Sequence, residues 1–391
     1  MNRHGFVLPI VAIALAVGLV GASAAQTLQA TVVDAAGSVG KWTSIAIGGD
    51  GLPVVSYYDE TNLDLKVAHC EDVACTTATI TTVDAVGDVG WYTSIVIGSD
   101  GLPVVSYWDA STLDLNVAHC ANAACTTATI TTVDAAGSVG KWSSIAIGNN
   151  GLPVVSYSDT NNGNLKVARC ANVACTGIAT ISTLDSAGNV GATTSIAIAG
   201  DGLPVVSYHD ASNANLKVAH CANAACTGAA TITVVDANGA VGIHTSIVIG
   251  SDGLPVVSYW DASNTNLKVA HCANADCAGA GITTVDAAGT VGYYTSVAIG
   301  GDGLPVVSYY DETNLDLKVA HCEDVACTTA TITTVDALGE LGQYTSIAIG
   351  SDGLPIVSYY DAFNGDLKVA HCANVACTVD AIYRNDFETA P

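Results

Sequence analysis

Apolar and polar residues alternate along this chain in short runs, and no stretch shows the 3.6-residue period of an amphipathic helix. One unit shows the pattern. Runs rich in Val, Ile, Thr and Tyr occupy 44–47, 53–58, 65–70 and 79–83, each bounded by Gly, Asp, Asn or Pro. These spacings predict four strands. Asp50-Gly51 between the first two predicts a tight hairpin, because Gly reaches positive φ and Asp tolerates it. In the third unit the same slot holds Asn150-Gly151. Asn suits the turn as well as Asp does but lacks the charge of a calcium ligand, so a turn is the better reading.

The unit recurs seven times. Its Thr/Ser-Ser-Ile/Val-Ala/Val-Ile phrase places Ser at 44, 94, 144, 195, 246, 296 and 346. Residues 56–85 reappear letter for letter at 308–337. Four strands per unit of about 50 residues, seven times over, predict an all-β seven-bladed β-propeller of four-stranded blades. Residues 28–34 read like a fourth strand, and the last unit has only a degenerate one. The N-terminal strand is therefore expected to complete the last blade and close the ring, removing the open sheet edge. Closure makes the Ser-Ile-Ala-Ile strand innermost and the Thr-rich strand outermost.

Composition adds the compartment. Residues 1–24 read as a signal peptide, with Arg3, an apolar run and Ala22-Ser23-Ala24 at its end; 25–377 form the propeller and 378–391 a tail. The expected locations are secreted, cell-surface or periplasmic, with no membrane insertion after cleavage and a monomeric chain. Fourteen Cys fall as seven pairs with one spacing: Cys70 and Cys75, Cys120 and Cys125, Cys170 and Cys175, Cys221 and Cys226, Cys272 and Cys277, Cys322 and Cys327, Cys372 and Cys377. In an exported chain each pair is expected to form a disulfide inside its own unit. A zinc reading rests on the His that precedes six of the first Cys, but sevenfold zinc sites without further ligands are not expected.

The net charge of -25, with 11 Lys plus Arg against 36 Asp plus Glu, excludes a nucleic-acid partner, because a row of phosphates would meet no cations.

The run Ser-Ile-Val-Ile-Gly-Ser-Asp-Gly-Leu-Pro-Val-Val-Ser-Tyr-Trp-Asp-Ala-Ser at 246–263, continued by Asn-Leu-Lys-Val-Ala, resembles the repeat of exported bacterial propeller proteins labelled sialidase-like or Asp-box-like. The resemblance spans 28–377 and implies the fold. It departs from the Asp-box, Ser-x-Asp-x-Gly-x-x-x-Trp, in spacing and in lacking that Trp. The tail at 382–388 is similar to the short Asp-Gly-Phe-Glu tails of exported Gram-negative proteins. A sialidase grips a carboxylate with three arginines, whose planar forks match it. Arg occurs here only at 3, 169 and 384, so the triad cannot be built.

Two positions per unit carry the candidate chemistry. The link between blades holds Trp42, Tyr92, Trp142, Thr193, His244, Tyr294 and Tyr344. The second-to-third loop holds Tyr58, Trp108, Ser158, His209, Trp260, Tyr310 and Tyr360, each followed by Asp: Asp59, Asp109, Asp159, Asp210, Asp261, Asp311 and Asp361. Both positions are expected on one face. Aromatic planes beside Asp suit sugars, whose C–H faces stack while their hydroxyls bond the carboxylate. Seven such weak sites would act by avidity. The competing reading puts these rings between blades, with exposure of Trp42, Trp108 and Trp260 as the discriminator. His209 and His244 beside Asp210 form a transition-metal motif on paper. They stand in slots that are aromatic elsewhere, so no metal and no cofactor are expected.

An Asp repeated in every unit is not the mark of catalysis, which needs broken symmetry. The expectation is a non-enzymatic interaction module for an unknown protein or glycan partner. Lectin-like glycan binding is the first alternative and a degenerate glycoside hydrolase the second.

Overall fold

The computed structural model describes Met1 and residues 28–378; the rest of the predicted signal peptide and nearly all of the tail lie outside the described residues. Seven four-stranded antiparallel sheets are arranged as blades. Blade 1 comprises strands Val39–Ile47, Pro53–Asp59, Asp64–Cys70 and Ala78–Asp84 from axis to rim. Blades 2 to 6 repeat it, starting at Val89, Val139, Val190, Val241 and Val291. Blade 7 takes Leu341–Ile349, Pro355–Asp361 and Asp366–His371 from the C-terminal end, and Gln29–Asp34 pairs antiparallel with its third strand. Ring closure by the N-terminal strand is thus present as expected.

The core lies between blades rather than within one sheet. Val39, Ile45, Val55 and Tyr57 of blade 1 pack on Ile356, Leu367 and Val369 of blade 7, and six similar clusters fill the other interfaces. The second strand is the most deeply placed. Both of its faces are covered, and all seven residues of Pro53–Asp59 are buried. Small hydroxyl residues at the axis have structural partners. Ser44 Oγ accepts the Ile95 N–H at 3.1 Å, and Thr93 Oγ1 donates to Ser56 Oγ at 2.7 Å, so each inner strand is tied to the blade before it.

The Asp50-Gly51 turn is as expected. Gly51 has φ +83° and Asp50 Oδ1 accepts the Leu52 N–H at 3.1 Å. Asp50 Oδ2 also bonds His69 Nε2 at 2.8 Å. In blade 3 Asn150 keeps the turn bond, and Arg169 replaces the His.

The cysteines pair as their spacing predicts, one bridge per unit. Cys70 is bonded to Cys75, Cys120 to Cys125, Cys170 to Cys175 and Cys221 to Cys226. Cys272 is bonded to Cys277, Cys322 to Cys327 and Cys372 to Cys377. Cα–Cα distances run from 4.5 to 4.9 Å. The second Cys of each pair differs from a plain loop residue. Cys75, Cys125, Cys175, Cys226, Cys277, Cys327 and Cys377 all adopt left-handed backbone, with φ between 53° and 55°. The N–H of each is held by the carbonyl three residues back, as Cys75 is by Asp72, so a tight turn brings the two sulfurs together. Every one of the fourteen is buried, and none is left as a thiol for zinc. Seven disulfides fit an oxidising compartment.

One boundary differs in a way that matters. The inner strand does not begin at Ser44 but at Val39, so the supposed link residue Trp42 lies inside it. Its register with the second strand shifts between Val39 and Lys41 and again between Lys41 and Ser44. That is a β-bulge, which re-aims a side chain at the cost of ladder pairing.

Candidate functional site

The bulge sets the site. Trp42, Tyr92, Trp142, Thr193, His244, Tyr294 and Tyr344 all adopt left-handed backbone, with φ between 48° and 54°. Left-handed geometry is uncommon for any residue with a Cβ and an outlier for a β-branched one such as Thr193. The preceding Gly makes the bulge fit. Gly90 has φ +100°, and a Cβ there would lie 2.8 Å from Leu65 Cα of blade 1. Strain repeated in seven blades has one geometric result. The seven side chains turn toward the propeller axis and, with the Thr or Ser that follows each, line a single cavity of about 180 Å³.

The lining is lopsided. Ring-to-ring contacts run without a break from His244 to Tyr294 (4.6 Å between centroids), Tyr344 (4.5 Å), Trp42 (5.3 Å), Tyr92 (5.1 Å) and Trp142 (5.4 Å). Thr193 of blade 4 interrupts the arc, and its Oγ1 is buried without a hydrogen-bond partner. Burial pushes the His244 imidazole down to about 4, helped by the neighbouring His209. The His209 pKa is also lowered, chiefly by burial, with Asp210 opposing. Both rings are therefore neutral at pH 7. Among the described residues no group of three or more His, Cys, Asp or Glu is placed to hold a metal ion.

The loop-position residues do not line this cavity; they sit behind its wall. Tyr58, Trp108, Ser158, Tyr310 and Tyr360 are buried, and His209 and Trp260 are half-buried. Tyr58 donates to Asp88 Oδ1 at 2.8 Å, Tyr360 bonds Ser38 Oγ at 3.0 Å and Trp260 lies on Tyr293 with centroids 4.0 Å apart. Trp108 carries Lys141 Nζ over its ring at 4.5 Å. The exposure test thus splits the three Trp. Trp42 faces the cavity, whereas Trp108 and Trp260 pack beneath it. Their indole N–H groups and His209 Nε2 are buried without partners.

The seven loop Asp are internal. Asp59, Asp109, Asp159, Asp210, Asp261, Asp311 and Asp361 are all buried. Asp59 accepts the Thr61 and Asn62 N–H groups on Oδ1 (3.0 Å each) and Asn62 Nδ2 on Oδ2 at 2.8 Å, which caps its loop. It also meets Lys66 Nζ at 3.0 Å, and the same ammonium reaches Asp34 of the preceding blade at 3.1 Å. Tyr57 donates to that Asp34 at 2.7 Å. This Tyr–Asp–Lys–Asp latch joins adjacent blades. Hence Asp does not stand beside the aromatic ring as a sugar acceptor, and the expected seven separate sites are replaced by one axial cavity.

Sequence reasoning missed the residue just before each funnel residue: Lys41, Trp91, Lys141, Ala192, Ile243, Tyr293 and Gln343. Trp91 stacks on Trp42 at 4.4 Å and donates to Asp88 at 2.6 Å. Its signal was its variety in a chain otherwise nearly identical from unit to unit.

No family model and no curated protein sequence matches the chain. Solved structures match in fold. A Dyadobacter fermentans protein of unknown function is 10% identical, with a TM-score of 0.54 over 88% of this chain and 98% of that one. An alpha-L-arabinofuranosidase from Fusarium graminearum, solved with an iminosugar inhibitor, is also 10% identical, with a TM-score of 0.51 over 88% and 97%. The NanB sialidase of Streptococcus pneumoniae is 10% identical, with a TM-score of 0.48 over 88% and 68%. The seven blades are this chain's own sheets. At such identity the likeness is one of fold, not of activity.

Proposed function

We propose that the chain is an exported, non-enzymatic binding module that takes a neutral, ring-shaped group, such as one sugar residue of a cell-surface glycan or glycoprotein, in the axial funnel. The observation that carries this reading is the left-handed bulge in all seven blades, which holds one side chain per blade toward the axis. Backbone strain of about 1–3 kcal/mol per site persists only where the surrounding structure enforces it, and it gathers at functional sites.

The chemistry of the lining supports a neutral ligand. None of its residues is Asp, Glu, Lys or Arg. Aromatic faces suit the C–H side of a sugar, while the neutral His244 offers a hydrogen bond to a hydroxyl. The volume is below the roughly 300 Å³ of ordinary ligand pockets, which favours a single ring over a polymer segment. Lys66, Lys166, Lys217, Lys268, Lys318 and Lys368 are held in the latches between blades, so the surface stays acidic and unsuited to anionic partners. The signal-like leader and the seven disulfides support export. Asp59, Asp210, Asp261 and Asp311, four of the loop carboxylates, are held by lysines in the latches and do not line the funnel.

A glycan array probed with the oxidised chain tests the reading, with Trp142→Ala as the comparison. Binding to one class of glycan that falls at least tenfold in the variant is expected. A blank array would discard the sugar and leave the protein-partner alternative, to be pursued by pull-down. Turnover of an aryl glycoside would overturn the non-enzymatic assignment.

A further inference from the structure

The latch between blades is broken once. The cation position holds Lys66, Lys166, Lys217, Lys268, Lys318 and Lys368, but in blade 2 it holds Asn116. The loop position three residues after each latch Asp is Asn62, Asn162, Asn213, Asn264, Asn314 and Asn364, but Thr112 in blade 2. Both changes strike the same carboxylate. In blade 1 Asp59 Oδ2 is held by Asn62 Nδ2 and Lys66 Nζ. In blade 2 Asp109 Oδ1 still accepts the Ser111 and Thr112 N–H groups, but both donors to Oδ2 are gone. Across the interface Asp84 keeps Tyr107, whose hydroxyl donates to Oδ2 at 2.6 Å, and the Val86 N–H on Oδ1. It too has lost its ammonium.

Two carboxylates that are 6–7% exposed therefore face one another's blade without a cation. A third oxygen joins them. Asn116 is 5% exposed, lies opposite Tyr107 in the sheet register, and its Oδ1 has no hydrogen-bond partner. Buried acceptors left in that state cost free energy unless something donates to them or coordinates them. Asn is also shorter than Lys, so the space that an ammonium fills in the other blades lies beyond the Asn116 amide.

We propose that the interface between blades 1 and 2 is a calcium site, with Ca²⁺ standing where the other interfaces place a lysine ammonium. Its protein ligands are the Asp84 and Asp109 carboxylates and Asn116 Oδ1. The donor set is all oxygen, which selects a hard cation over zinc or copper. Two uncompensated carboxylates select a divalent ion over sodium. A set of protein oxygens drawn from two blades suits calcium better than magnesium, which demands a near-ideal octahedron and keeps most of its waters. None of the three ligands lines the funnel, and the site does not depend on the function proposed above.

The test uses the oxidised chain freed of metal by a chelator, with calcium added back while the melting temperature and the binding stoichiometry are measured. The expected result is a saturable rise in melting temperature with one bound Ca²⁺ per chain, and no comparable rise with Mg²⁺. Asn116→Lys restores the ammonium of the other blades. It should melt above the stripped parent and lose the calcium response. Asn116→Asp should melt below the stripped parent and bind calcium at least tenfold more tightly. No calcium response in the parent would overturn the proposal. So would an equal response in Asn116→Lys, which would place the ion on the acidic surface, or an equal response to Mg²⁺.

Discussion

The latches between blades and the axial funnel are built from the same repeat by opposite rules. In a latch every polar atom has a partner. Lys217 meets Asp185 at 3.2 Å and Asp210 at 2.7 Å, and Tyr208 and Asn213 complete the set. Burial raises the Asp185 pKa, but the Ala187 N–H, the Tyr208 hydroxyl and Lys217 outweigh it and hold the carboxyl below its usual range. Burial and Asp185 push the Tyr208 hydroxyl far up. Around the funnel the order is reversed. Thr193 Oγ1, His209 Nε2 and the indole N–H groups of Trp108 and Trp260 are unpartnered, and the seven funnel residues are strained. Repeated positions with satisfied groups hold the ring together, whereas the unsatisfied groups gather at the varied positions that line the cavity or pack behind its wall. Blade 2 shows that a latch can cross from the first kind to the second by losing two donors.

The sharpest way to break this contrast is to remove a latch cation. Lys217→Met should strand Asp185 and Asp210 and cost roughly 3–5 kcal/mol in urea unfolding. Asn116→Met, at the same sheet position, should cost much less in a metal-free sample, because blade 2 has no ion pair to lose. Equal losses would mean that the latch stabilises by packing alone.

A smaller effect of opposite sign is expected at the funnel. Thr193→Asn replaces a β-branched residue by one that accepts left-handed backbone, and should stabilise the chain by about 1 kcal/mol. Glycan binding should change in the same variant. Stabilisation with unaltered binding would show that the Thr193 gap is not part of the site.

A further test is acid. An unfolded His takes its proton near pH 6.5, whereas His244 in the funnel resists until about 4 because burial and His209 oppose the charge. The unfolded chain therefore binds more protons between these values. Stability is complete above pH 6.5 and declines as pH falls toward 4. His244→Tyr should flatten that slope, as read from melting temperatures across the window. Below it the depressed latch carboxyls, among them Asp134, Asp185 and Asp236, add a second loss that the variant retains.

Much of the architecture is legible in local pattern. Asp50-Gly51 marks a hairpin because only a few residue types tolerate its backbone, and residues 28–34 announce ring closure by repeating the outer-strand phrase. The disulfides follow from spacing, since Cys70 and Cys75, like each later pair, are confined to one unit. The bulge at Trp42 is not legible. Its residues are ordinary strand formers, and the signal is only a Gly two positions earlier. The fate of the loop Asp is hidden for a related reason. Asp59 reads the same on a surface as in a latch, and the Asp34 with which it shares Lys66 lies on the neighbouring blade.

The order of strands, the count of blades and the pairing of cysteines were thus determined along the chain itself, because turns, alternation and short loops act between near neighbours. Which aromatic rings line the axial cavity, and which carboxylates share a cation, was decided only in the folded ring. Those relations join residues that sit on different blades, and the glycine before each funnel residue packs against the backbone of the neighbouring blade.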